Sequence, residues 1–327
     1  MGPSCVAGAA DQHPNGGYNE DCLHINVYTS TECRKKACPV IYYVHGGGLV
    51  WDSAVLFDDE HMINSFVVKD AMLVLQFTAG IIEYFGGDVN QLTIMGHSAG
   101  GGMVSHMAFP PLLNPPGKPS IFKNVVVMSG SSVYRSEEEQ VAATRRYASF
   151  VKCYGSSYEI MQCFRNKTTQ ELHAGQLMAA TDNIFNPNQI GGLVQAGELL
   201  SCDSVRNNLK NPVTFRFMTG TTVKEMDVLK NRTDIFKAGY YHNLSECMKK
   251  YHTDRAHGRG YFNHSLLTSL FYLDAYSYAL SHVKSGKVET YLYEYEYPVH
   301  SGHAADQSFL IGSNAFEQIG SPLTPIS

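Results

Sequence analysis

The chain has 327 residues, enough to bury a full core in one large or two smaller domains. Its formal net charge is -5 and its pI is near 6.3, and no run of Lys or Arg interleaves with the aromatics, so it lacks the basic footprint of a nucleic-acid binder. No apolar stretch approaches the ~20 residues that cross a bilayer, and Pro3 and Val6 break an N-myristoyl reading of Gly2.

Short runs rich in Val, Ile and Tyr predict strands over 23–28, 39–44, 72–77, 92–95, 125–128, 213–217 and 290–295. Several are apolar on both faces, as expected of parallel strands covered from both sides. A helix over 58–66 begins with acidic residues suited to its positive N-terminus. Ser136 and Glu139 form a capping box that opens a helix closing near Gly155. Leu266, Leu270, Leu273 and Leu280 keep to one face of a later helix. Strand and helix in alternation predict an α/β layered domain. No repeat, low-complexity tract or linker interrupts it, so one domain is expected over 1–327.

Two glycine-rich turns stand at predicted strand ends. Gly96-His97-Ser98-Ala99-Gly100 fits GxSxG, in which a serine occupies a strained strand-to-helix turn and flanking side chains would collide. The helix that follows favours developing negative charge at its N-terminus. His45-Gly46-Gly47-Gly48 follows the 39–44 strand. A glycine triplet there lets backbone N–H groups approach an oxyanion, and Gly47, Gly48 and Ala99 are the expected donors.

A serine needs a base that is itself held by an acid. In this type of site the chain order is Ser, acid, His, which sets aside His45, His61 and His97. Glu225 follows the 213–217 strand by a short loop, with Asp227 as its competitor. His300 and His303 follow the last strand, and the residues alone do not choose between them. As a zinc pair, His300 and His303 would lack further ligands. No metal or cofactor is expected.

The eight cysteines include no CxxC pair, and sequons occur at Asn166, Asn231, Asn243 and Asn263. Together they favour an oxidising, secretory-pathway compartment. The N-terminus carries no basic start followed by an apolar run, so the leader expected of such a protein is not in this chain.

These residues resemble the type-B carboxylesterases, which include the cholinesterases. "NEDCLHINVY" looks like the family's EDCLxLNV signature, "PVIYYVHGGG" its oxyanion strand, and "FGGDVNQLTIMGHSAGG" its FGGDP…VTIxGxSAGG nucleophile signature. "FKNVVVMSGSS" resembles the strand after the nucleophile helix. "TGTTVKE" resembles the acid loop and points to Glu225; "GHAADQSFLIG" resembles the HGxE…FVFG loop and points to His303. The resemblance implies an α/β-hydrolase fold, a mostly parallel sheet with helices on both faces. It implies a serine carboxylic ester hydrolase with the triad Ser98, Glu225 and His303, acting on a small-molecule ester. The rival readings are a non-catalytic cholinesterase-like adhesion or binding protein and an inactive truncated esterase variant; adhesion relatives often lack a triad member, and all three candidates are present here.

The resemblance also implies disulfides Cys5–Cys22 and Cys153–Cys163. Cys33 and Cys38 bracket "RKKA" and could close a local loop, while Cys202 with Cys247 follows only by elimination. Against the family pattern the chain is expected to be incomplete at both termini and between Phe77 and Thr78. Val89 replaces the usual proline, and His97 the common glutamate. The only tryptophan, Trp51, is expected to pack rather than bind.

Overall fold

In the computed structural model the described residues are 5, 19–48, 54, 57, 59–63, 72–73, 81–110, 114, 117–130, 134–179, 193–195, 210, 212–227, 249, 252–253, 256–257, 266–285, 288–297 and 301–311. Eight strands lie among them: β1 (Cys38–Val44), β2 (Met72–Leu73), β3 (Gly87–His97), β4 (Asn124–Met128), β5 (Tyr134–Ser136), β6 (Leu193–Gln195), β7 (Arg216–Thr222) and β8 (Thr290–Tyr295). The helices are α1 (Asp59–Met62), α2 (Ala99–Ala108), α3 (Glu137–Phe150), α4 (Ser157–Arg165), α5 (Thr169–Ala179), α6 (Leu266–Ser285) and α7 (Ala305–Ile311).

A six-stranded sheet in the order β2-β1-β3-β4-β7-β8 dominates, and β5 with β6 forms a separate pair. Every pairing in both sheets is parallel. All strand C-termini in the large sheet therefore point to one edge, where ligand sites in open parallel sheets form. The register aligns Val44 with Gly96, His97 with Met128, and Met128 with Gly220, so the motif residues exit side by side.

The core explains the strand sequences. Ile94, Val125, Val127, Phe215 and Phe217 are fully buried and pack with Val104 and Ala108 of α2, its C-cap Phe109, and Tyr278 of α6. Phe109 meets Phe215 and Phe217 edge-on, at centroid distances of 5.6 and 5.7 Å, and stacks on Tyr278 at 6.1 Å. Contacts of this kind add to the burial of large apolar area.

Several expected elements differ. Residues 23–28 form no strand, and Leu23 is 91% exposed. A β-prone run becomes a strand only against a partner, and none pairs with it among the described residues. The strand around 92–95 extends to all of β3, with a register shift opposite Pro39 and Val40, because Gly87 and Asp88 continue the pairing with β1. The 213–217 strand begins later, at Arg216; Val213 and Phe215 are buried before the ladder starts. β2 and α1 are described only over Met72–Leu73 and Asp59–Met62, with 58, 64–66 and 74–77 of their expected spans outside the described residues, and β5 and β6 are additional strands. A single 3-10 turn, Ile82–Phe85, leads into β3. Residues 74–80, Trp51, His300, Asn231, Asn243, Asn263, Cys202 and Cys247 lie outside the described residues.

The leucine stripe of α6 is also corrected. Leu273 and Leu280 face outward at 56% and 36% exposure, whereas Phe271, Ala275, Tyr278 and Ala279 are buried. Small alanines let the helix approach β7 closely, and the aromatic rings beside them fill the remaining space more completely than leucines would. Helix α3 starts at Glu137, as the acidic run suggests, and gives way to a left-handed Lys152 (φ 60°) before Gly155.

Among the described residues three disulfides are formed: Cys5–Cys22, Cys33–Cys38 and Cys153–Cys163. The third ties the end of α3 to α4, around a small cluster of Tyr147, Ala148, Val151 and Ile160. A capping box of Ser156 and Glu159 starts α4, and Asn166 is its exposed C-cap.

Candidate active site

The glycines around Ser98 answer a steric demand. A Cβ on Gly100 would lie 2.2 Å from the Val44 carbonyl oxygen and 2.3 Å from that of His45, both backbone atoms. One on Gly96 would lie 2.4 Å from the Gly100 carbonyl oxygen. Strand β3, helix α2 and the end of β1 can meet only where these side chains are absent. Ser98 takes the turn itself, with φ 55° and ψ -124°, a region a non-glycine residue rarely adopts. Such strain persists where surrounding structure enforces it. Here the Ser98 N–H donates to the Met128 carbonyl at 2.9 Å, and the Gly102 N–H donates to the Ser98 carbonyl at 2.9 Å.

Gly47 (φ 95°) and Gly48 (φ 60°) turn the chain after β1 in the left-handed region. A Cβ on Gly46 would lie 3.0 Å from the Ser98 Cβ, so this loop runs beside the serine. Ala99 opens α2, where the first N–H groups have no intrahelical acceptor.

Ser98, Glu225 and His303 come together. His303 Nε2 and Ser98 Oγ are 2.7 Å apart, and His303 Nδ1 hydrogen-bonds a Glu225 carboxylate oxygen. An ionised carboxylate only accepts, so Nδ1 carries the proton and Nε2 accepts from the serine hydroxyl. Glu225 is 2% exposed. Its other oxygen accepts from the Ser129 hydroxyl at 2.5 Å and the Thr222 N–H at 2.7 Å, so its position is over-determined. The competitor Asp227 is placed differently: it accepts from the Thr268 hydroxyl of α6 at 2.9 Å.

Backbone bonds lace the three loops together. The Ser129 N–H donates to the Gly220 carbonyl, the Val223 N–H to Tyr295, the Lys224 N–H to Ser301, and the His303 N–H to Glu225, all between 2.8 and 3.0 Å. The acid and base loops are zipped along their length, which fixes both side chains relative to β7 and β8.

Asp306, next in space to this pair, escaped the residue-level reading. Its carboxylate accepts from the Tyr293 hydroxyl at 2.6 Å and is 6% exposed. Burial, with Glu225 nearby, pushes its pKa up to about 6, although the Tyr293 bond and His303 pull the other way. The folded state therefore holds this proton more tightly than an ordinary aspartate at 3.8. Its contribution to stability is fully present below about pH 4 and is lost as pH rises through about 6. Asp306→Asn keeps an acceptor for Tyr293 and cannot ionise. It is expected to be neutral near pH 4 and stabilising at pH 8 by about 3 kcal/mol, read as urea midpoints at the two pH values. An equal effect at both would show that Asp306 does not hold its proton more tightly in the fold.

The family model described as the Carboxylesterase family matches residues 1–69 and 66–321. The chain belongs to the carboxylesterase family. Among curated relatives of this chain, the medium-chain fatty acyl-CoA hydrolase precursor of Anas platyrhynchos is 30% identical over 210 residues, 52% of this chain and 36% of that protein. Liver carboxylesterase 1 of Oryctolagus cuniculus is 29% identical over 189 residues, 47% of this chain and 32% of its own. The chain thus spans about a third of the length of these relatives. Juvenile hormone esterase of Manduca sexta, solved with OTFP covalently attached, superposes with a TM-score of 0.72 at 15% identity, covering 95% of this chain and 72% of that one. A structure entitled PNB esterase superposes at 0.70 with 16% identity. These likenesses establish the α/β-hydrolase fold.

Besides Asp306, two supports of the candidate site make contacts that have no local signature. Ser129 has a signal in the sequence, a Ser-Gly pair directly after β4, but its hydrogen bond to Glu225 spans 96 residues. Tyr293 sits mid-strand in β8 and looks like any strand tyrosine. No local pattern marks either contact.

Proposed function

We propose that the chain hydrolyses small carboxylic esters through an acyl-enzyme on Ser98. The observation that carries this reading is the continuous relay from the Ser98 hydroxyl through both nitrogens of His303 to buried Glu225. Ser98 Oγ attacks the ester carbonyl while His303 Nε2 takes its proton. Glu225 holds the ring in the required tautomer and stabilises the imidazolium. The N–H groups of Gly47, Gly48 and Ala99 receive the oxyanion, and the α2 N-terminus adds its partial positive charge. His303 then protonates the leaving alcohol, activates water, and the acyl group departs with Ser98 restored. Family membership supports the reaction class.

The disulfides fit an oxidising compartment, and we assign the chain to the secretory pathway, with Asn166, Asn231, Asn243 and Asn263 as glycan acceptors. A fluorophosphonate probe tests the mechanism. Stoichiometric labelling at Ser98, abolished in Ser98→Ala together with p-nitrophenyl acetate turnover, is expected. A cooperatively melting chain that takes no label at Ser98 would refute it.

A further inference from the structure

We propose that His303 is held in its working orientation by two rings from different elements, His97 of β3 and Phe271 of α6, both acting as positioning residues for the hydrolysis proposed above, on which this inference rests. The His303 ring centroid lies 4.8 Å from that of His97 and 5.0 Å from that of Phe271, with interplanar angles of 40° and 44°. These separations fall within the roughly 4.5–7 Å over which such rings attract. The hydrogen bonds to Glu225 and Ser98 fix two points on the imidazole. They leave the ring able to tilt about the line joining those points. Neighbouring rings restrict that tilt, which the bonds alone cannot.

His97 occupies the variable position of GxSxG and is 2% exposed. Its Nε2 has no hydrogen-bond partner among the described residues. A buried nitrogen without a bond is destabilising, so this atom does not explain the residue's placement, whereas the ring contact does. Burial, and then the nearness of His303, holds His97 well below the ordinary histidine range. It therefore packs as a neutral ring and adds no like charge beside the imidazolium formed during turnover.

Phe271 is equally buried, at 2% exposure, and packs with Met226, the residue after the triad acid. Its helix is fastened to the same loop elsewhere. The Met226 N–H donates to Thr268 Oγ at 3.0 Å, and the Tyr272 hydroxyl donates to the Val223 carbonyl at 2.8 Å. One rigid helix thus sets the acid loop and a ring contact of the base together.

The test compares Phe271→Leu, His97→Leu, His97→Phe and the double leucine variant. It uses kcat and KM on p-nitrophenyl acetate, the low-field proton resonance of the His303 Nδ1–H, and thermal melting. Each leucine variant is expected to lower kcat by ~10- to 100-fold with KM within about twofold, and to shift or broaden the low-field line. His97→Phe keeps a ring and removes the unbonded nitrogen, so it should hold kcat within about threefold, keep the line and melt higher. The double variant should lose less than the product of the single losses, because both act on one imidazole. Unchanged kcat and an unchanged line in the two leucine variants would overturn the inference. So would His97→Phe losing as much as His97→Leu. Should Phe271→Leu fail to melt cooperatively, the His97 pair decides. If the unsubstituted chain neither turns over nor takes the phosphonate, hydrolysis is refuted separately, and the low-field line still decides the clamp.

Discussion

Glu225→Gln is expected to lower kcat by about 10⁴-fold while leaving the fold intact. The glutamine oxygen can still accept from the Ser129 hydroxyl and the Thr222 N–H, which fixes which end of the amide faces His303. That end is the NH₂ group, and it meets His303 Nδ1 as a donor. The imidazole must then present Nδ1 as an acceptor and carry its proton on Nε2. In that tautomer Nε2 cannot take the Ser98 proton, although Ser98 and His303 stay within reach. Steady-state kinetics with p-nitrophenyl acetate check this, beside a urea melt to show the fold is kept. The loss should not multiply with that of Ser98→Ala, since both disable one relay. A loss below tenfold would mean that Glu225 does not set the tautomer.

Gly100→Ala is expected to damage both the fold and the site through a single methyl group. Its Cβ would lie 2.2 and 2.3 Å from two backbone carbonyl oxygens at the end of β1, and backbone cannot rotate aside. Either α2 lifts away from the sheet or the His45–Gly48 turn is pushed outward. The first route costs about 1–3 kcal/mol or more from overpacking, a large share of the ~5–15 kcal/mol by which domains are stable. The second moves the proposed oxyanion donors away from Ser98, worth about 10²–10³ in rate. Thermal melting followed by phosphonate labelling of whatever folds separates the two. Gly302→Ala is the control, since nothing lies within 4 Å of its added Cβ and its backbone is not left-handed. A Gly100→Ala protein with normal melting and labelling would contradict the packing of β1 against α2.

Legibility followed the range of the interaction. The turns at Gly46–Gly48 and Gly96–Gly100 could be read because their demands are local: a strand end, a tight bend and no room for side chains. The choice between Glu225 and Asp227, or between His300 and His303, could not be made from residues. It depends on pairings such as the His303 N–H to the Glu225 carbonyl, 78 positions away, and only family resemblance indicated one side. The α6 stripe misled for a different reason. Leu273 and Leu280 are as apolar as Phe271 and Tyr278, so periodicity permits two faces, and packing against β7 selects between them. The run at 23–28 has strand composition without a strand neighbour among the described residues, a condition that composition cannot report.

The ties between neighbouring strand ends have an evolutionary consequence. Ser98 is anchored to Met128, Ser129 to Gly220 and Val223 to Tyr295, each across a single strand spacing. The described segment 134–179, which lies between β4 and β7, takes no part in these ties. Under the proposed chemistry, that stretch can gain, lose or exchange residues without moving a reacting atom. Descendants of one gene can then diverge in that segment while inheriting the same reactivity toward a phosphonate.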